Sequence, residues 1–118
     1  YLKIKKKTVH ILSENNYSVE DCILIVRSLL IKSKRLIRLC KTTKDTKNID
    51  KTVANFKPQI FWKDKEVVKQ QIKNWSCENV EKLIYEINET ELLIKKYSNS
   101  SVNILSNFII EQSATSSN

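Results

Sequence analysis

Lys57-Pro58-Gln59-Ile60-Phe61-Trp62-Lys63-Asp64-Lys65 is the stretch on which the fold of this 118-residue chain turns. Pro58 is the chain's single proline, and residues before and at a proline are pushed towards extended geometry. Residues 57–62 are therefore predicted to cross a helical domain as an extended segment, with aromatic side chains that must plug into something. Trp62 and Trp75, lying beside Ile60, Phe61 and Ile72, read as core residues rather than as platforms for stacked bases. On either side, apolar residues recur at spacings of three and four, and glycine, the usual residue of tight hairpin turns, is absent. The expected fold class is all-α, a single bundle of five to six helices.

Downstream, a helix is predicted over about Lys63 to Trp75, with Val67, Val68, Gln71, Ile72 and Trp75 on one face. The Gln71 amide, in the middle of that face, is expected to fasten the backbone of the 57–62 segment. Ser76 caps the next helix, Cys77 to Tyr97, whose apolar stripe is Val80, Leu83, Ile84, Ile87 and Ile94. Glu91 falls inside that stripe, with Lys95 one turn later. A carboxylate there must find a partner, either Lys95 or a neighbouring chain. A last helix begins at Ser100 or Ser101 and runs to about Gln112. Residues 113–118 read as a frayed polar tail, so that residues 1–112 form the domain.

Upstream, a first helix is expected over Tyr1 to Ser13, carrying Leu2, Val9 and Leu12, and ending at Glu14-Asn15-Asn16. Ser18 and Asp21 form an imperfect capping box for the longest helix of this half, about Val19 to Lys41. At about 100° per residue, Val26, Leu29, Leu30, Ser33, Ile37 and Cys40 make one stripe of it. Arg27, Lys34, Arg38 and Lys41 line a flank, and Leu24 and Ile31 lie beyond them. A helix apolar on two sides is either central to a bundle or meets a partner subunit with its second face. Thr42 to Asn48 reads as a polar connection and Ile49 to Phe56 as a short helix.

Hydrophobic residues are 41% of the chain and charged ones 29%, which is globular composition. No apolar run approaches the roughly 18 residues of a bilayer span, so no membrane partner is expected. With no glycine, a glycine-rich phosphate loop is excluded. Net charge is +8, and residues 1–65 hold 16 of the 21 Lys and Arg against 6 acids. A polyanion such as nucleic acid is the natural partner to suspect for that half, the alternative being that lysine serves there as generic solubilising surface. Cys22, Cys40 and Cys77 are odd in number and widely spaced, which points to a reducing compartment and away from a disulfide framework or a zinc site. His10 is alone, and the adjacent acids Glu20 and Asp21 point apart on a helix, so neither a catalytic nor a metal constellation is expected. The start at Tyr1, inside what reads as a helix, suits a fragment or processed product.

Pro58-Gln59-Ile60-Phe61-Trp62-Lys63-Asp64-Lys65, followed by Gln71-Ile72-Lys73-Asn74-Trp75-Ser76, resembles the C-terminal domain of the delta subunit of bacterial DNA polymerase III. That family places a Pro, an aliphatic and two aromatics ahead of a basic pair, then a Gln and, four residues on, a Trp. Glu91 and Lys95 are similar to its Glu-x-x-x-Lys. The helix with Leu29, Leu30, Leu36, Ile37 and Leu39 is similar to its leucine-rich helix. The likeness spans about residues 9 to 110. Trp62 stands where Phe is more usual, Asp64 interrupts the basic run, and Asn74 occupies a position where Arg is common.

The resemblance implies a collar domain in the clamp loader, an accessory complex of a DNA-directed DNA polymerase, a nucleotidyltransferase. Its partners would be the motor and delta-prime subunits, with DNA held in the assembled complex, and its compartment would be the cytoplasm. Contact with the sliding clamp would belong to an upstream domain, beside an ATPase-like one, neither of which is in this chain. The motif residues are Pro58, Ile60, Phe61, Lys63, Lys65, Gln71, Trp75, Glu91 and Lys95. Arg27, Lys34, Arg38 and Lys41 would face DNA. No catalytic group and no cofactor are implied, and the rival expectation is a free-standing basic helical domain that binds nucleic acid.

Overall fold

A computed structural model describes residues 17–116, with side chains through Gln112. Five α-helices make up most of it: α1 (Val19–Thr46), α2 (Ile49–Asn55), α3 (Lys65–Asn74), α4 (Cys77–Lys96) and α5 (Ser101–Ser116). Short 3₁₀ turns at Trp62–Asp64 and Ser98–Ser100 lead into α3 and α5, and no strand occurs among the described residues. The all-α expectation is met. The helix expected at Tyr1 to Ser13 lies outside the described residues, as does His10.

Polar side chains set the helix starts. Ser18 N–H donates to Asp21 Oδ2 at 3.2 Å and Asp21 N–H donates to Ser18 Oγ at 3.1 Å, a reciprocal capping box at the head of α1. Asn48 Oδ1 accepts the Lys51 N–H at 3.0 Å ahead of α2, and Ser76 Oγ accepts the Asn79 N–H at 3.1 Å ahead of α4. Each such cap is worth about 1 kcal/mol. Past the end of α1, Lys47 has a φ of 56°, the left-handed conformation that a glycine would ordinarily supply. α1 itself runs beyond Lys41, and α5 runs beyond Gln112 through Ser116.

The chain divides into two compact units, Tyr1–Leu30 with Glu86–Asn118, and Ile31–Tyr85; α1 and α4 each run through both. In the second unit a core of Leu36, Leu39, Val53, Phe56, Ile60, Val68, Ile72 and Val80 forms, with Ile37, Ile49, Trp75 and Ile84 packed against it. Each fully buried aliphatic there contributes about 1.5–3 kcal/mol. In the first unit Cys22, Val26, Ile87, Ile94, Leu105 and Ile109 are buried.

Two departures from the sequence expectation have simple physical causes. Leu39 lies about 120–140° from Ser33 and Val26 on the helical wheel, off the stripe drawn through them, yet it is fully buried, because α2, α3 and the 57–62 segment supply apolar partners on that side of α1. Cys40 and Cys77 are not free thiols: they form a disulfide between α1 and α4, with Cα atoms 5.8 Å apart, an ordinary span for such a bond. The two lie 37 positions apart in sequence, but the helix arrangement brings them together. The reducing-compartment inference drawn from three free cysteines therefore loses its basis. Only Cys22 is a free thiol; burial pushes its pKa up and the Asp21 charge adds to this, against a hydrogen bond with Ser101 that pulls it down.

Candidate functional site

The segment between α2 and α3 is built differently from its expected form. The Lys57–Pro58 peptide is cis, and Ile60 alone of the following apolar residues reaches the core, at 2% exposure. Phe61 and Trp62 are turned outward, 57% and 69% exposed, with ring centroids 6.0 Å apart and planes inclined by 51°. Their expected burial is corrected. An extended chain alternates its side chains between two faces, so burying Ile60 sends Phe61 out. Trp62 then opens the 3₁₀ turn into α3. The Lys63 ammonium lies 5.4 Å from the Trp62 ring centroid, within cation–π reach.

On α3, Val68 and Ile72 are buried and Trp75 is half-buried against the core, while Val67, at the edge of the expected face, is exposed. The half-buried Gln71 contributes its main-chain carbonyl, which accepts the Trp75 N–H at 3.0 Å and closes α3. Among the described residues no hydrogen bond joins its side-chain amide to residues 57–62, so the fastening role expected of it is not realised. Lys69 holds α3 to α2 instead, through Asp50 at 3.1 Å, with Glu66 at 3.3 Å on its own helix. Hydrogen bonds to Asp50 and Glu66 raise the Lys69 pKa above 10.5.

Glu91 has both partners that its place on an apolar stripe demands. Arg27 Nε donates to Oε1 at 3.1 Å from α1, and Lys95 Nζ donates to Oε2 at 3.2 Å from the next turn of α4. The carboxylate is 20% exposed. Partial burial pushes its pKa up, but the hydrogen bonds from Lys95 and Arg27, with their charges, outweigh that and hold it below the ordinary 4.5.

The four residues marked as DNA-facing occupy different environments. Arg27 is engaged by Glu91, and Lys41 pairs with Glu81 on α4 at 3.3 Å. Arg38 lies 4.7 Å from the Phe56 ring centroid and donates from Nη2 to the Lys57 carbonyl oxygen at 3.3 Å. Lys34 is exposed and has no carboxylate partner among the described residues. Beyond that flank Leu24 and Ile31 are 64% and 69% exposed, so α1 carries a second apolar side that the described residues leave uncovered.

Charge is unequal between the two units. Ile31–Tyr85 holds 14 Lys and Arg against 6 Asp and Glu, a net +8, whereas the remaining residues balance at 7 against 7. The boundary drawn at residue 65 from sequence alone missed this, because the fold returns the C-terminal acids to the unit that holds the N-terminal residues. No cluster of three or more His, Cys, Asp or Glu able to hold a metal ion occurs among the described residues, and no described helix is long and apolar enough to cross a membrane. Comparison of the chain with protein-family models, with curated proteins and with solved structures gives no match in any of the three.

Proposed function

We propose that this chain is the collar domain of a delta-type clamp-loader subunit, working in assembly of the loader and contributing no catalytic group. The observation that carries this is the uncovered second side of α1, where Leu24 and Ile31 stand in water at a spacing of two helical turns. Exposed large apolar residues in line on a helix are what a neighbouring helical domain would cover. Ile60 and Trp75, two residues of the stretch that resembles that family, bear on the core, which agrees with a scaffold role for them. The motor and delta-prime collar domains are the partners.

The exposed Phe61 and Trp62 rings favour a second reading, that of a free-standing nucleic-acid-binding domain. Two uncovered aromatics beside Lys57, Lys63 and Lys65, in a unit of net charge +8, have the make-up of a platform on which bases stack while lysines meet phosphates. Mixing the chain with the C-terminal domains of the motor and delta-prime subunits, followed by size exclusion with light scattering, separates the two. A hetero-oligomer is expected. Elution of the chain alone well above micromolar concentration would overturn the collar assignment, and tight, steeply salt-dependent DNA binding by that chain would then favour the second reading.

A further inference from the structure

A cleft of about 280 Å³ opens in the second unit between the C-terminal half of α1 and one side of α2, lined by Arg38, Thr42, Thr46, Lys51, Thr52, Asn55, Phe56 and Lys57. Its chemistry is one-sided. Three of the lining residues are cationic and none is acidic. Among the described residues neither Arg38, Lys51 nor Lys57 pairs with a carboxylate, although the same unit pairs Lys41 and Lys69. Cations gathered without counter-charge repel one another, so an arrangement of this kind gains from a bound anion.

Part of the lining is held by contacts within the protein. Arg38 is held by the Phe56 ring beneath it and by the Lys57 carbonyl, which together use only part of its five-donor fork. The threonine hydroxyls are committed to the protein: Thr42 donates to the Arg38 carbonyl at 2.9 Å, Thr52 donates to the Asn48 carbonyl at 2.9 Å, and Thr46 lies 2.9 Å from Thr52. They serve as a rigid polar wall and leave recognition to donors. The side-chain donors that the remaining lining residues carry are the Arg38 guanidinium, the Lys51 and Lys57 ammoniums and the Asn55 amide. That set suits a planar fork on a tetrahedral oxyanion, with two point charges beside it.

We propose that this cleft is an oxyanion site that takes one phosphate group, with Arg38 as its principal ligand and Lys51 and Lys57 as flanking charges. The group is either a backbone phosphodiester of a nucleic-acid strand or a free phosphate. This deepens the collar reading, in which Arg38 already faces DNA, by assigning it a cleft and two flanking lysines, and because it is read without any partner protein present its failure is distinct from a failure of subunit assembly.

The test is a set of NMR titrations of the ¹⁵N-labelled chain, with inorganic phosphate, with a single-stranded oligothymidylate, and with sodium chloride at matched ionic strength. Saturable shifts centred on Arg38, Thr42, Lys51 and Asn55 are expected with phosphate or with the oligonucleotide, and not with chloride. Saturation by both identifies a phosphodiester site, and saturation by phosphate alone identifies a free-phosphate site. Arg38→Gln should weaken the saturable binding about tenfold, the loss of one charge-assisted hydrogen bond, and Lys51→Gln should weaken it less. Thermal unfolding of both variants checks that they are folded. Shifts no larger than those in chloride, shifts centred elsewhere, or unchanged affinity in the folded Arg38→Gln chain would overturn the site.

Discussion

Replacing Ile60 by Ala separates the residue that anchors the 57–62 segment from the aromatics that merely follow it. Ile60 is 2% exposed and sits in the core with Leu36, Leu39, Val53 and Phe56. Truncation to Ala removes three carbon groups, about 2.4 kcal/mol at ~0.8 kcal/mol each. A cavity that cannot collapse brings the total to about 2–5 kcal/mol. Trp62, although far larger, is 69% exposed. If a fully buried Trp costs about 3–5 kcal/mol on truncation, the buried third of this one is worth about 1 kcal/mol. Urea unfolding followed by circular dichroism is expected to rank Ile60→Ala well below Trp62→Ala, with Phe61→Ala near the latter. Equal losses, or a larger loss for Trp62→Ala, would refute the outward placement of the aromatic pair and the stacking surface inferred from it.

The clamp on Glu91 makes a pH-dependent contribution. Its folded pKa lies below 4.5, so the stabilisation is present above the unfolded value and fades as pH falls through the folded one. Melting temperatures of the chain should drop more steeply below about pH 4.5 than those of Glu91→Gln, which should lose about 1 kcal/mol at neutral pH; parallel curves would contradict the clamp. The Cys40–Cys77 bond closes a loop of 37 residues, for which the chain-entropy estimate of its worth is about 4 kcal/mol. Thiol titration of the unfolded, unreduced chain should find Cys22 alone and all three cysteines after reduction, with a matching fall in melting temperature; three reactive thiols before reduction would contradict the bond.

Local rules were legible along the sequence wherever one residue type decides a structure. Ser18 with Asp21 and Ser76 cap helices as their spacing says, and Glu91 on an apolar stripe finds Lys95 one turn away. What sequence did not disclose is set by who stands opposite. Arg27 reaches the same carboxylate from α1, and Leu39 is buried because α2 and α3 cover it. Cys40 meets Cys77 across two helices. The aromatic pair after Pro58 was misjudged because composition favours burial of Trp and Phe, while the one position that faces the core belongs to Ile60. Arg38 shows the same limit from another side: the wheel placed it on a basic flank, but only the fold puts Lys51, Lys57 and Phe56 around it.

Subunit assembly through the second side of α1 is measured most directly by the light-scattering mass of the mixture with motor and delta-prime collar domains, for the native chain and for one carrying Leu24→Lys and Ile31→Lys. Both residues are exposed, so the double variant should fold and melt as the native chain does. The native chain is expected to give the mass of a hetero-oligomer and the folded variant the mass of the chain alone. A native chain that stays monomeric in the mixture, or a variant that assembles as well as the native chain, would contradict the account.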